Sequence, residues 1–68
     1  MKLYIHDMNS RSTEVIKQLE ATRCPQKGEC IEILDDSNGD KIIGIIEGVG
    51  TRYQHGIEEF HIDIRIYY

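Results

Sequence analysis

The sequence predicts an α+β domain: a small, strongly bent antiparallel sheet or half-barrel of about four strands with one short helix, in the order strand, helix, strand, strand, strand. Three observations carry this. Isoleucine dominates the apolar residues, Leu3, Leu19 and Leu34 are the only leucines, and tryptophan is absent; a stiff, β-branched side chain suits pleated surfaces. The second half of the chain alternates apolar and polar residues with a period of two, most clearly over 60–68. A single segment, 12–22, departs from that alternation with a helical spacing.

Residues 2–7 read as a strand with Leu3 and Ile5 on one face and Tyr4 and His6 on the other. Asn9-Ser10-Arg11-Ser12 is a polar turn. In the next segment Val15, Ile16 and Leu19 fall on one helical face, Glu14, Lys17, Gln18, Glu20 and Ala21 are good helix formers, and Ser12 or Thr13 can cap the start. This predicts a helix over 12–22, ending before Cys24 because Pro25 disfavours α geometry in the residue ahead of it. Pro25-Gln26-Lys27-Gly28 forms the following turn.

Glu29 to Leu34 is the next strand, with Ile31 and Ile33 sharing a face. Asp35 to Asp40 are all turn formers, and Asn38-Gly39 is a strong hairpin signal. Lys41 to Val49 is apolar on both faces, Ile42 and Ile46 against Ile43 and Ile45, which marks a central strand. Gly44, Gly48 and Gly50 predict bends or bulges in it. Residues 51–56 read as a loop. The last strand turns Phe60, Ile62, Ile64 and Ile66 inward and His61, Asp63, Arg65 and Tyr67 outward.

The run Cys24-Pro25-Gln26-Lys27-Gly28-Glu29-Cys30-Ile31-Glu32-Ile33 resembles the Pro-x-x-Gly-acidic-x-Ile turn that leads into a strand of small SH3-like β-barrels. The layout is also similar to that of short proteins encoded by phages and other mobile elements. The resemblance covers 24–68 and implies an SH3-like half-barrel, from which the helix over 12–22 departs. It carries no functional residues with it.

At 68 residues the chain is one domain, 1–68, without volume for a nucleotide-binding sheet or a large barrel. No apolar run approaches the roughly 18 residues of a membrane span. Asp7 interrupts the N-terminal apolar run too early for a signal peptide, so a cytoplasmic location without membrane contact is expected. Two cysteines are too few for a disulfide scaffold and are expected as thiols. The formal charge of −4 is unevenly spread: residues 1–28 hold five Lys/Arg against three Asp/Glu, and residues 29–68 hold three against nine.

Four chemical constellations can be written down. Cys24, Cys30, His6, His55 and His61 offer zinc-type donors, but Cys-x5-Cys and His-x5-His lack the tight pairs of zinc sites, so no metal or other cofactor is expected. Asp36, Asn38, Asp40 and Glu47 match positions 1, 3, 5 and 12 of a calcium loop, yet Lys41 stands where glycine is needed. Cysteine paired with histidine, or His61 beside Asp63, could serve catalysis, but alternating charges on an exposed strand face are explained by cross-strand ion pairs, and no enzyme is expected. Tyr4, Tyr53, Tyr67 and Tyr68 with Lys2, Arg52 and Arg65 could bind nucleic acid, a reading disfavoured by the acidic second half.

The remaining reading is a small non-catalytic interaction or accessory module, binding a protein partner or a second copy through strand edges. The terminal strand, an isoleucine ladder ending in Tyr67-Tyr68, exposes unpaired backbone groups unless it closes against residues 2–7. Tyr53, His61, Arg65, Tyr67 and Tyr68 are the expected contact residues.

Overall fold

The computed structural model of the chain describes residues 1–10, 14–34, 39 and 41–67. Five strands, β1 (Lys2–Asp7), β2 (Lys17–Glu20), β3 (Cys30–Leu34), β4 (Lys41–Gln54) and β5 (Ile57–Tyr67), form one curled sheet in the order β2-β1-β5-β4-β3. The result is a small all-β half-barrel. Among the described residues there is no helix, and hence none long and apolar enough to cross a membrane.

The helix expected over 12–22 is therefore corrected to a strand. Residues 11–13, with the expected cap, lie outside the described residues. Lys17 to Glu20 pair antiparallel with Ile5 to Lys2, placing Leu19 against Leu3. The pairing extends to Ile16, whose N–H donates to the Ile5 carbonyl at 2.8 Å, and to Ala21, whose N–H donates to the Met1 carbonyl at 2.9 Å. An isolated helix of three turns is marginal in water and depends on a buried face. Here Val15 and Ile16 are each 41% exposed and only Leu19 packs on the core. β1 meanwhile offers backbone partners along its edge, and sheet pairing wins.

The second correction concerns strand direction. β5 closes against residues 2–7, one of the two arrangements open from the sequence: it pairs antiparallel with β4 along its length and parallel with β1, Leu3 opposite Phe60 and Ile5 opposite Ile62. The sheet is thus mixed rather than wholly antiparallel, and its free edges are β2 and β3. The core is the inner face, where Leu3, Ile5, Ile33, Ile46, Ile62 and Ile64 are buried, with Leu19, Ile31, Ile42, Phe60 and Ile66 packed around them. These are the inward positions that the alternation predicts.

β4 bends where the sequence places its glycines. The pairing with β5 slips by one residue between Ile46 and Gly48, a bulge at Glu47. At Gly44 an added Cβ would stand 2.8 Å from the Arg65 carbonyl oxygen, so only glycine lets β4 and β5 approach this closely.

The loop expected over 51–56 is instead a projecting hairpin. β4 runs on to Gln54, which pairs with Ile57, and the two residues between have positive φ, 53° at His55 and 78° at Gly56. Two positive φ values match the twist of a type I′ turn, which histidine tolerates better than most side chains. The turn before β3 also differs slightly: the Glu29 N–H donates to the Gln26 carbonyl at 3.1 Å, and Gly28, φ 94°, takes its third position. The turn is Gln26–Glu29, one residue later than expected.

Candidate functional site

The two free edges face one another across the opening of the half-barrel. β2 runs antiparallel to β1, β1 parallel to β5, and β4 reverses before β3 reverses again, so β2 and β3 run in opposite senses. Between them lies a cleft of about 680 Å³ lined by Leu3, Leu19, Ala21, Pro25, Cys30 and Ile31, with Glu20, Arg23, Glu29 and Glu32 supplying its charge. The chain crosses one end of this opening through residues 21–29. There the Arg23 guanidinium grips the Glu29 carboxylate with two bonds, 3.0 and 2.8 Å. The hydrogen bonds from Arg23 hold the Glu29 carboxyl below the ordinary carboxylate range.

The β3 edge has a definite phase. The Ile46 N–H donates to the Glu29 carbonyl at 2.9 Å, and in the antiparallel register that follows, Ile31 opposite Gly44 and Ile33 opposite Ile42, alternate residues bond to β4. Ile31 and Ile33 spend their N–H and C=O on β4. Cys30, Glu32 and Leu34 turn theirs to the open side, where the sheet has no further strand among the described residues. Leu34 is 63% exposed, Cys30 is an exposed free thiol, and Glu32 carries an ion pair to Lys41 at 2.7 Å. The strand presents an unpaired backbone with apolar side chains at four of its five positions.

A second cluster lies on the outer face, where β1 meets β5. The register sets Tyr4 opposite His61 and His6 opposite Asp63. Tyr4 stacks on His61, ring centres 5.0 Å apart and 13° from parallel, and the His6 ring meets the edge of His61, ring centres 5.0 Å apart and 27° from parallel. His6 Nε2 is 2.7 Å from His61 Nδ1, and His61 Nε2 is 3.2 Å from Glu59 Oε1. With Glu59 ionised and both rings neutral, one tautomer set satisfies both bonds. His61 donates to Glu59 and accepts from His6, leaving His6 Nδ1 as a bare acceptor. Burial, and then the Glu59 carboxylate that accepts its hydrogen bond, push the Tyr4 hydroxyl above its ordinary pKa. The cluster is a hydrogen-bonded clasp between the first and last strands.

Of the contact residues expected from sequence, Arg65 and Tyr67 come together, and Tyr53 stands apart from them. Tyr53 stands on the projecting hairpin, 69% exposed, opposite Glu58 and nine residues of β5 from Tyr67, a span of roughly 30 Å. His61 is occupied within the clasp. Arg65 pairs with Glu47 at 3.2 Å and lies over the Tyr67 ring at 5.9 Å. Tyr68 lies outside the described residues.

Of the zinc-type donors, only His6 and His61 come together; His55 sits at the hairpin tip, and Cys24 and Cys30 flank the turn before β3. Among the described residues no group of three or more His, Cys, Asp or Glu is arranged to hold a metal ion. The calcium-loop positions Asp36, Asn38 and Asp40 lie outside the described residues. His61 bonds to Glu59 and His6, and Asp63 is not its partner.

Sequence reasoning missed both the β3 edge and the clasp. Polarity alone could have exposed the first: Cys30-Ile31-Glu32-Ile33-Leu34 has one charge, whereas an edge strand normally carries several. The second joins residues 55 positions apart and leaves no local mark. No protein-family model, curated protein or solved structure matches the chain.

Proposed function

We propose that this protein is a small non-catalytic interaction module, working in the cytoplasm, whose binding element is the free edge of β3. An extended protein segment adds to β3 as a further strand, its backbone satisfied by Cys30, Glu32 and Leu34 and its side chains meeting the apolar row and the adjoining cleft. The single observation that supports this most is the phase of β3: three successive outward-facing residues, unpaired in the sheet, in an edge strand with one charge. Such an edge templates strand addition unless it is blocked. Because β2 and β3 run oppositely, an added strand antiparallel to β3 lies parallel to β2 across the cleft. The nucleic-acid reading is weaker: one face of Tyr4 is covered by His61 and the Arg65 charge is paired with Glu47.

The test uses seven-residue peptides of random sequence, selected by display against the folded chain, with enriched peptides added to isotope-labelled protein. The expected result is that amide signals of Cys30, Glu32 and Leu34 shift and gain protection from hydrogen exchange, and that Leu34→Lys removes the effect. Perturbation centred on the projecting hairpin or the clasp, or no selectable peptide at all, overturns the reading.

A further inference from the structure

We infer that the segment received by β3 is the β3 strand of a second copy of this chain, paired antiparallel about a two-fold axis through Glu32. This rests on the reading above and names its partner. A two-fold interface requires a surface complementary to itself, and in a strand that means a sequence of the same character read in either direction from its centre. Cys30-Ile31-Glu32-Ile33-Leu34 has this property. The pairing sets Cys30 opposite the partner's Leu34 and Ile31 opposite the partner's Ile33, each on a matching face. Leu34 and Cys30, both exposed, cover one another on the outer face while the isoleucines extend the inner one.

The backbone phase is compatible with this register. Residues 30, 32 and 34 point their N–H and C=O groups outward, and opposing 30 with 34 and 32 with 32 makes each of these groups meet its counterpart. A shift by one residue brings the outward groups of one strand against residues already bonded to β4.

Charge at the axis is the obvious objection, because Glu32 then faces Glu32, and like charges directly opposite destabilise a sheet. Each carboxylate brings its own cation: Lys41 Nζ stands 2.7 Å from Glu32 Oε1. The two carboxylates that meet at the axis are thus each held by an ammonium group of their own chain. The other edge offers no equivalent, since Lys17-Gln18-Leu19-Glu20 centred on Gln18 sets lysine against leucine and centred on Leu19 sets glutamine against glutamate.

The test is cross-linking by register. In a Cys24→Ser, Cys30→Ser background, Glu32→Cys places the two new thiols on the axis, where hydrogen-bonded antiparallel partners have Cα atoms about 5.5 Å apart, within reach of a disulfide. Leu34→Cys in the same background puts them about 13 Å apart along the strands. Mild oxidation is expected to convert the first variant to a covalent dimer at least ~10-fold faster than the second. Sedimentation of the unaltered chain over a concentration series is expected to show a monomer–dimer equilibrium that Leu34→Lys weakens by at least ~10-fold. Both positions are exposed, and the amide spectrum of each variant verifies that it folds. Equal cross-linking rates, a dimer indifferent to Leu34→Lys, or a chain monomeric to millimolar concentration overturns the inference. If selected peptides still add to β3 in a monomeric chain, the second copy is the wrong partner and the strand-accepting edge stands; if neither adds, both fall.

Discussion

The two free edges of this sheet are built to opposite standards. β2, Lys17-Gln18-Leu19-Glu20, carries a charge at each end and one apolar residue, the composition that keeps an edge from pairing with a neighbour. β3 carries one charge, neutralised within the chain by Lys41, and leaves Leu34 open to solvent. Both are short, both end the sheet, and the same cleft separates them. An edge is therefore a property of its side chains rather than of its place in the sheet.

The comparison can be broken most severely from the centre. β3 hangs on the half of β4 that passes Gly44, where β4 lies closest to β5. Gly44→Ala drives a methyl group to 2.8 Å from a backbone oxygen that cannot rotate away. The expected cost is about 1–3 kcal/mol, or some 4–8 °C of melting temperature per kcal/mol in a domain of this size, read by thermal denaturation. Loss of hydrogen-exchange protection should be greatest in β3, and uniform loss across all five strands would show that β3 is no more dependent on this contact than β2.

Removing the guard from the other edge sharpens the contrast. Lys17→Val with Glu20→Val leaves the inward Leu19 in place and gives β2 the apolar character of β3. Monomer stability is expected to change by no more than about 0.5 kcal/mol. Light scattering should detect assemblies beyond the dimer, because each chain then has two adhesive edges. Unaltered mass would mean that the charges at 17 and 20 do not keep β2 unpaired.

The smallest effect lies at the closed end of the cleft. Arg23 lowers the Glu29 carboxyl pKa in the folded chain, so the ion pair contributes its full stability above the ordinary carboxylate pKa. That contribution declines as pH falls through the lowered, folded-state value. The pair is exposed, which keeps the contribution small. Urea midpoints from pH 6 to pH 3 should fall less steeply for Arg23→Ala than for the unaltered chain; identical slopes would show that the pair stabilises nothing.

What could be read from the sequence was what is local. The isoleucine alternation over 60–66 and 31–33 predicted the buried face correctly because a strand imposes its own period of two, whatever its neighbours. The segment around Val15, Ile16 and Leu19 was misread because those residues satisfy a helical face, and the decision between helix and strand rested with β1, a partner invisible to a local pattern. His55-Gly56 passed as loop because histidine is an uncommon first residue for a type I′ turn. Of the expected contact residues, Arg65 and Tyr67 adjoin on β5 while Tyr53 stands on the projecting hairpin. Whether the terminal strand stays open or closes against residues 2–7 was decided by the parallel register of β1 with β5, which no turn signal encodes.

That register also dictates when the molecule can fold. β1 and β2 join the rest of the sheet through β5, and Ile5 acquires its partner Ile62 only after residue 62 has left the ribosome. During synthesis the N-terminal hairpin has no core to join, and the β3–β4 pair waits beside it with its apolar face bare. Closure is then a single late event between distant segments, the kind of pairing that takes small β proteins roughly milliseconds to seconds. The nascent chain is most vulnerable to association in the interval just before β5 emerges.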